Sequence, residues 1–238
     1  MKNIINIFRK EFRAYFSSPI AYIFIISFLG VTNWLFFRTF FLASQSSLRP
    51  FFSLLPWVFL FLAPAITMRS WAEEKKLGTI EILMTLPVKE YEVVIAKFLS
   101  SFVFLILTLC LTFPLPLTVM VLGSPDPGPI WGGYAGAFLL GGAYLAIGLF
   151  SSSLTENQIV AFIVSIMLCF ALLIVGEDFV LINVPSVLVP VFSYLGLGAH
   201  FQSIGRGVID SRDILYYFSV IGFFLFLNQI SVESRKWK

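Results

Sequence analysis

The chain has 238 residues, of which 58% are hydrophobic and 12% charged, with a formal net charge of +3 and a mean hydropathy of +0.92. Soluble domains carry about 25% charged and about 45–50% apolar residues, so a water-soluble globule is excluded, no nucleic-acid partner is expected, and lipid becomes the solvent. Cys110 and Cys169 both fall inside apolar runs and read as small buried or lipid-facing groups, not as a disulfide or a metal pair.

Residues 1–18 open the chain with Ile4, Ile5, Phe8, Phe12, Tyr15 and Phe16 at helical spacing, while Arg9, Lys10 and Arg13 lie largely off that stripe. This pattern predicts an interfacial helix with its apolar face in the acyl boundary and its basic face toward anionic headgroups. No cleavable signal pattern is present, so the first span is expected to be retained.

A helix needs about 20 mainly apolar residues to cross a bilayer. Runs near 20–42, 50–68, 98–122, 131–150 and 158–177 qualify, and 213–230 is short but nearly uncharged. The run 179–199 is apolar but broken by Asn183, Pro185, Pro190, Gly196 and Gly198. Lys and Arg concentrate in the N-terminal segment, in 69–97 and at the C-terminus, and cytoplasmic flanks carry such residues. Six spans place all three inside and leave only Arg38, Arg49, Arg206 and Arg212 outside. Residues 178–212 then form an outer re-entrant region. The alternative is a kinked seventh helix with the C-terminus outside. The expected fold is an all-α polytopic membrane protein, one transmembrane domain over 1–238.

The stretch 69–97, RSWAEEKKLGTIEILMTLPVKEYEVVIAK, interrupts this apolar chain with Glu73, Glu74, Glu81, Glu90 and Glu92 and with Arg69, Lys75, Lys76, Lys89 and Lys97. Its first part continues the second span as a helix. Gly78 interrupts. Thr79 can cap a short helix that presents Ile80, Leu83 and Met84, and Pro87 ends it. Two turns are unstable alone, so the apolar residues need a cover. A partner's groove, the protein's own bundle and the lipid surface are all open on these residues alone.

The segment 72–99 resembles the hallmark cytoplasmic loop of ABC-2 type permeases, the membrane subunits of type V ABC exporters. The matching positions are Glu73, Glu74, Lys75, Lys76, Gly78, Thr79, Glu81, Leu83, Thr85, Pro87 and Lys97. SSSLTENQIVAF at 151–162 is similar to the family's loop between the fourth and fifth spans. FQSIGRGVIDSRDILYYFSV at 201–220 resembles the gliding-motility and nitrous-oxide-reductase-maturation subgroup.

The resemblance implies an N-terminal interfacial helix, six spans, a cytoplasmic coupling helix at 78–87 and outer re-entrant helices before the last span. The coupling helix would dock on a separate ABC ATPase subunit, which would bind the ATP and Mg that this chain does not. Ile80, Leu83 and Met84 would supply buried contact, Glu81 a polar one, and Glu73, Glu74, Lys75 and Lys76 a charged rim. Gly78, Thr79 and Pro87 would frame the helix, with a minor contact from Thr155 to Gln158. Further expected partners are a second permease protomer, as homo- or heterodimer, and an auxiliary membrane protein with an outer domain. The expected location is the bacterial cytoplasmic membrane, with both termini inside.

No GxxxxGK[ST], HExxH or GxSxG pattern occurs, so no ATP site and no familiar hydrolase site is expected. His200 is the only histidine. Together with Asp210 and Asp213 it defines an alternative, a membrane enzyme with an outer-face site. A non-transporting anchor for an ATPase-driven complex is a further alternative. Asp213 near the start of the last span suits the helix dipole. Glu177 and Asp178 end the fifth span as solvated acids or as the lining of a substrate exit. Asn33, Ser100, Ser101, Thr108, Thr112, Ser165 and Asn228 are polar groups within spans, and the small-residue run 132–148 permits close helix packing within or between protomers.

Overall fold

The computed structural model describes residues 2–43, 47–81, 87–207 and 210–234. Among these residues every regular element is a helix. In chain order they are α1 (Lys2–Ser17), α2 (Pro19–Ala43), α3 (Arg49–Thr67), α4 (Arg69–Lys76), α5 (Glu90–Cys110), α6 (Pro114–Leu122), α7 (Pro127–Leu154), α8 (Gln158–Ile174), α9 (Asp178–Leu181), α10 (Val189–Leu195), α11 (Leu197–Gly205) and α12 (Ser211–Glu233).

Local chemistry sets the starts. Asp126 caps α7 by accepting from the Gly128 amide at 3.1 Å, Asn157 caps α8 through the Ile159 amide at 2.9 Å, and Asp210 caps α12 through the Arg212 amide at 2.9 Å. Proline at the first turn suits α3, α6 and α7, where its missing N–H has no helical acceptor in any case.

Among the described residues five helical stretches are long and apolar enough to cross a membrane: Pro19–Leu42, Arg49–Lys76, Glu90–Leu122, Pro127–Leu154 and Ser211–Glu233. The run expected at 158–177 is helical only over Gln158–Ile174, 17 residues, or about 25 Å at 1.5 Å per residue. It turns at Val175 and Gly176. The run expected to be continuous over 98–122 breaks at 111–113, before Pro114 and Pro116. There Thr112 Oγ1 meets the Tyr134 hydroxyl at 2.9 Å. Residues 178–205 form three short helices, the longest of nine residues, and none of these reaches across a bilayer.

α7 is the central post. α3, α5, α8, α11 and α12 all pack against it. Its buried positions mix large side chains such as Leu140 and Tyr144 with small ones, and at Ala137, Ala143 and Ala146, all fully covered, the neighbouring helices can approach closely. The small-residue run thus serves packing within the protomer. α7 also defines two ends of the molecule. Near its start Gly132 lies against the carbonyl of Ile204 on α11, and near its finish Ser152 meets α4. These two positions are about 30 Å apart along the helix.

α1 is helical as its spacing predicts, and its apolar stripe is partly covered by protein, with Ile5 exposed. Tyr15 stacks on Phe104 of α5 with ring centroids 5.1 Å apart, and Phe16 meets the same ring edge-on at 6.0 Å. Asn3 donates to Glu92 Oε2 at 3.1 Å.

Candidate functional site

The stretch 69–97 begins as α4, which prolongs α3 beyond the apolar core. Met68 occupies the cap position of α4 and has no side-chain group to offer its free amides. The cap comes from another helix. Ser152 Oγ on α7 accepts from the Trp71 and Ala72 amides, both at 3.1 Å, and donates to the Met68 carbonyl at 2.9 Å. The hydroxyl thus holds the start of α4 in place of a residue of its own strand of sequence. One turn earlier on α7, Gly148 lets Thr67 lie directly against the α7 backbone, where a Cβ would overlap the threonine hydroxyl. Lys75 Nζ donates to the Ser153 carbonyl, which also accepts from Ser231 Oγ on α12 at 3.2 Å. α4 is therefore fastened along its length to the end of α7, which Ser231 ties in turn to α12.

Gly78 stops α4. Its φ of +69° is the left-handed conformation that glycine adopts without penalty. The Thr79 hydroxyl donates back to the Glu74 carbonyl at 3.3 Å, so it also helps end α4. Residues 79–81 turn helical again. Leu83 and Met84 fall in 82–86, outside the described residues.

Ile80 is the clearest departure from expectation. It is buried within the chain's own second core, with Trp71, Val93, Val94, Leu149 and Val232. It anchors the loop and is not offered to a partner. The charged rim is corrected too. Lys75 is buried on Ser153, and Glu74 Oε1 accepts from Lys97 Nζ at 2.9 Å. Lys76, Gly78, Thr79, Glu81 and Pro87 are exposed, and Glu73 is half-buried. Leu77 adds an exposed apolar side chain, 67% accessible, that a reading focused on 78–87 passes over. Its signal was its place just before the glycine, where a helix-terminal leucine has no turn to cover it.

Lys97 does more than mark a membrane boundary. It is 2% exposed and bonds to Glu74, to Glu11 Oε1 at 3.3 Å and to the Ser70 carbonyl at 2.8 Å, with the Trp71 ring 4.9 Å away. It joins α1, α4 and α5 at one point. Sequence offered a hint: Glu11 is the only acid before Glu73, and Lys97 is the last cation before Arg206. At the Thr155–Gln158 turn, Thr155 Oγ1 accepts from the Asn157 amide at 3.1 Å, and Asn157 is exposed.

At the other end of α7, His200 and Asp213 are brought together. Nδ1 lies 2.6 Å from Asp213 Oδ1, and Nε2 lies 2.9 Å from the Tyr194 carbonyl. A carbonyl only accepts, so Nε2 carries a proton and donates. Both ring nitrogens are occupied, and the ring stacks on Tyr216 at 3.9 Å. Tyr216 and Tyr217 donate to the Leu195 and Leu197 carbonyls at 2.5 and 2.8 Å. Asp210 is exposed and caps α12. The His200 cluster locks 194–200 onto α12 and leaves no nitrogen for a substrate. Glu177 accepts from Gln202 at 3.3 Å and lines a groove of about 270 Å³ with Arg49, Trp57, Phe201 and Arg206.

Residues 40–195, well over half of the chain, match the family described as ABC-2 family transporter protein. The chain belongs to the ABC-2 transporter family. Members are membrane components, and the multiple apolar helices of this ABC-2 protein make it a multi-pass membrane protein. No curated protein matches the chain.

Proposed function

We propose that this ABC-2 protein is the permease subunit of an ABC transporter, driven by a separate ATPase that docks on the loop following α4. The supporting observation is the fastening of α4: a loop with exposed Lys76, Leu77, Thr79 and Glu81 sits at the tip of a helix tied to α7 by Ser152 and Lys75. Force applied at such a tip passes into the bundle, because the joint resists independent motion. In this reading Leu83 and Met84 complete the apolar contact, Glu73 and Glu81 steer docking, and α2, α3, α5–α6, α7, α8 and α12 are the six spans.

The same reading places the charged end and both termini in the cytoplasm of a bacterium, by the distribution of Lys and Arg. α9 to α11 are then outer re-entrant helices, and two permease protomers form the working unit. The resemblance of 201–220 favours the gliding-motility and nitrous-oxide-reductase-maturation subgroup, with substrate export or mechanical work as the output and an auxiliary membrane protein as a further partner. ATP and Mg belong to the ATPase.

The test is co-purification with an ABC-type P-loop ATPase from the same organism. Leu77→Asp combined with Glu81→Lys is expected to abolish the complex while leaving the thermal midpoint of the permease unchanged. Retention of the complex by that variant would sink the docking assignment.

A further inference from the structure

A crevice of about 370 Å³ opens at the charged end between α1, α2, α3–α4 and α5. Its walls change character in one direction. Along a single helical line the lining runs from Ala65 and Ile66 to Arg69, then one turn further to Glu73 and Glu74. A turn advances about 5.4 Å. Ile20, Ala21 and Phe24 of α2 continue the apolar wall, and Lys10 and Glu11 of α1 close the charged floor.

The charged side chains lining the crevice are Lys10, Arg69 and Lys97 with Glu11, Glu73 and Glu74. Lys97 is buried between two carboxylates, Glu11 and Glu74. Glu74 Oε2 is fully covered and has no hydrogen-bond partner. Buried polar atoms are ordinarily bonded, and this oxygen lacks a donor. Lys10 does not supply it. Its ammonium is 3.9 Å from Glu11 Oε1, and 71% of its side chain is exposed. Glu73 and Arg69 make no ion pair among the described residues.

We propose that this crevice binds an aminophospholipid of the phosphatidylethanolamine type. The order of groups on the wall is the order of groups in such a lipid: acyl chain, phosphate, ammonium. The acyl chains lie against Ile66, Ala65 and Phe24. The phosphate meets Arg69 at the edge of the apolar wall. The ammonium reaches Glu73, one helical turn beyond, beside Glu74, whose covered Oε2 lacks a donor. A primary ammonium donates hydrogen bonds and a quaternary one does not, so ethanolamine is preferred to choline. Beyond Arg69 the wall offers the carboxylates Glu73 and Glu74, so a headgroup without a cation is disfavoured there. The neighbouring open face formed by Arg9, Lys10 and Arg13 is where anionic lipid gathers. The proposal goes beyond the transport reading and requires neither an ATPase nor a substrate.

The experiment is native mass spectrometry of the full chain released from nanodiscs of equimolar phosphatidylethanolamine, phosphatidylcholine and phosphatidylglycerol with matched acyl chains. Phosphatidylethanolamine is expected to be retained about tenfold over the other two, the worth of one charge-assisted hydrogen bond. Arg69→Gln with Glu73→Gln is expected to erase that preference with no change in thermal midpoint. Equal retention of the three lipids, a preference for phosphatidylglycerol, or an unaltered preference in the double variant would overturn the proposal. Soluble phosphoethanolamine, which has no chains to bury, is expected to displace the lipid at least about tenfold less well than a short-chain phosphatidylethanolamine. Equal displacement would overturn the lipid as the source of the headgroup.

Discussion

Gly148 and Thr67 touch, backbone to side chain, with no room for a methyl group between α7 and α3. The contact sets the spacing at which Ser152, one turn on, reaches the Met68 carbonyl. Gly148→Ala forces the two helices apart and is expected to cost about 1–3 kcal/mol. A lowered thermal midpoint in detergent checks this. Gly30→Ala on α2, where nothing lies within 4 Å, is the matched control and is expected to leave the midpoint in place.

Ser152→Ala removes the acceptor for two buried amides. A loss of about 1–3 kcal/mol is expected, together with faster hydrogen exchange at Trp71 and Ala72. Ser151→Ala tests specificity, since Ser151 is equally buried but bonds only within α7, to the Ile147 carbonyl at 2.9 Å. Unchanged exchange at Trp71 in Ser152→Ala would show that α4 starts without its borrowed cap.

Lys97→Met strands two carboxylates. A fully buried pair broken in this way costs about 3–5 kcal/mol. Here Glu11 and Glu74 keep 19% and 18% of their side-chain surface in solvent, so about 2–4 kcal/mol is expected. The triple variant Lys97→Met, Glu11→Gln, Glu74→Gln is expected to recover most of the loss, because no uncompensated charge remains. Denaturation midpoints of the single and triple variants decide it.

His200→Ala removes a stacked ring and two hydrogen bonds, and about 2–4 kcal/mol of stability is expected to go with them. Because the cluster lies about 30 Å along α7 from the α4 joint, binding to the ATPase is expected to persist below the new unfolding temperature. A variant that kept wild-type stability but lost activity would revive the enzyme reading of His200, Asp210 and Asp213.

Much of the fold is legible in the chain because lipid demands long apolar runs. The stretches over Pro19–Leu42 and Arg49–Lys76 follow from that alone, and Gly78 ends α4 where glycine predicts. The break at 111–113 was written in TFPLPL but concealed by unbroken hydrophobicity, since proline interrupts a helix without adding a polar residue. The site is less legible for a different reason. Glu74, Lys75 and Ile80 read as surface by local pattern, yet their partners are Lys97, Ser153 and Val232. Contacts over such separations are set by tertiary packing and have no periodic trace. The hydroxyl of Ser152 is the extreme case, because a serine among serines carries no sign that a helix 81 residues earlier depends on it.

That dependence has a consequence for biosynthesis. α4 leaves the ribosome well before Ser152, which follows Trp71 by 81 positions. Until α7 has been inserted, the segment has neither its cap nor the carbonyl that holds Lys75. The start of α4 therefore takes its final shape only after most of the protein is made, and an ATPase docking beyond it would have to wait for the completion of the bundle.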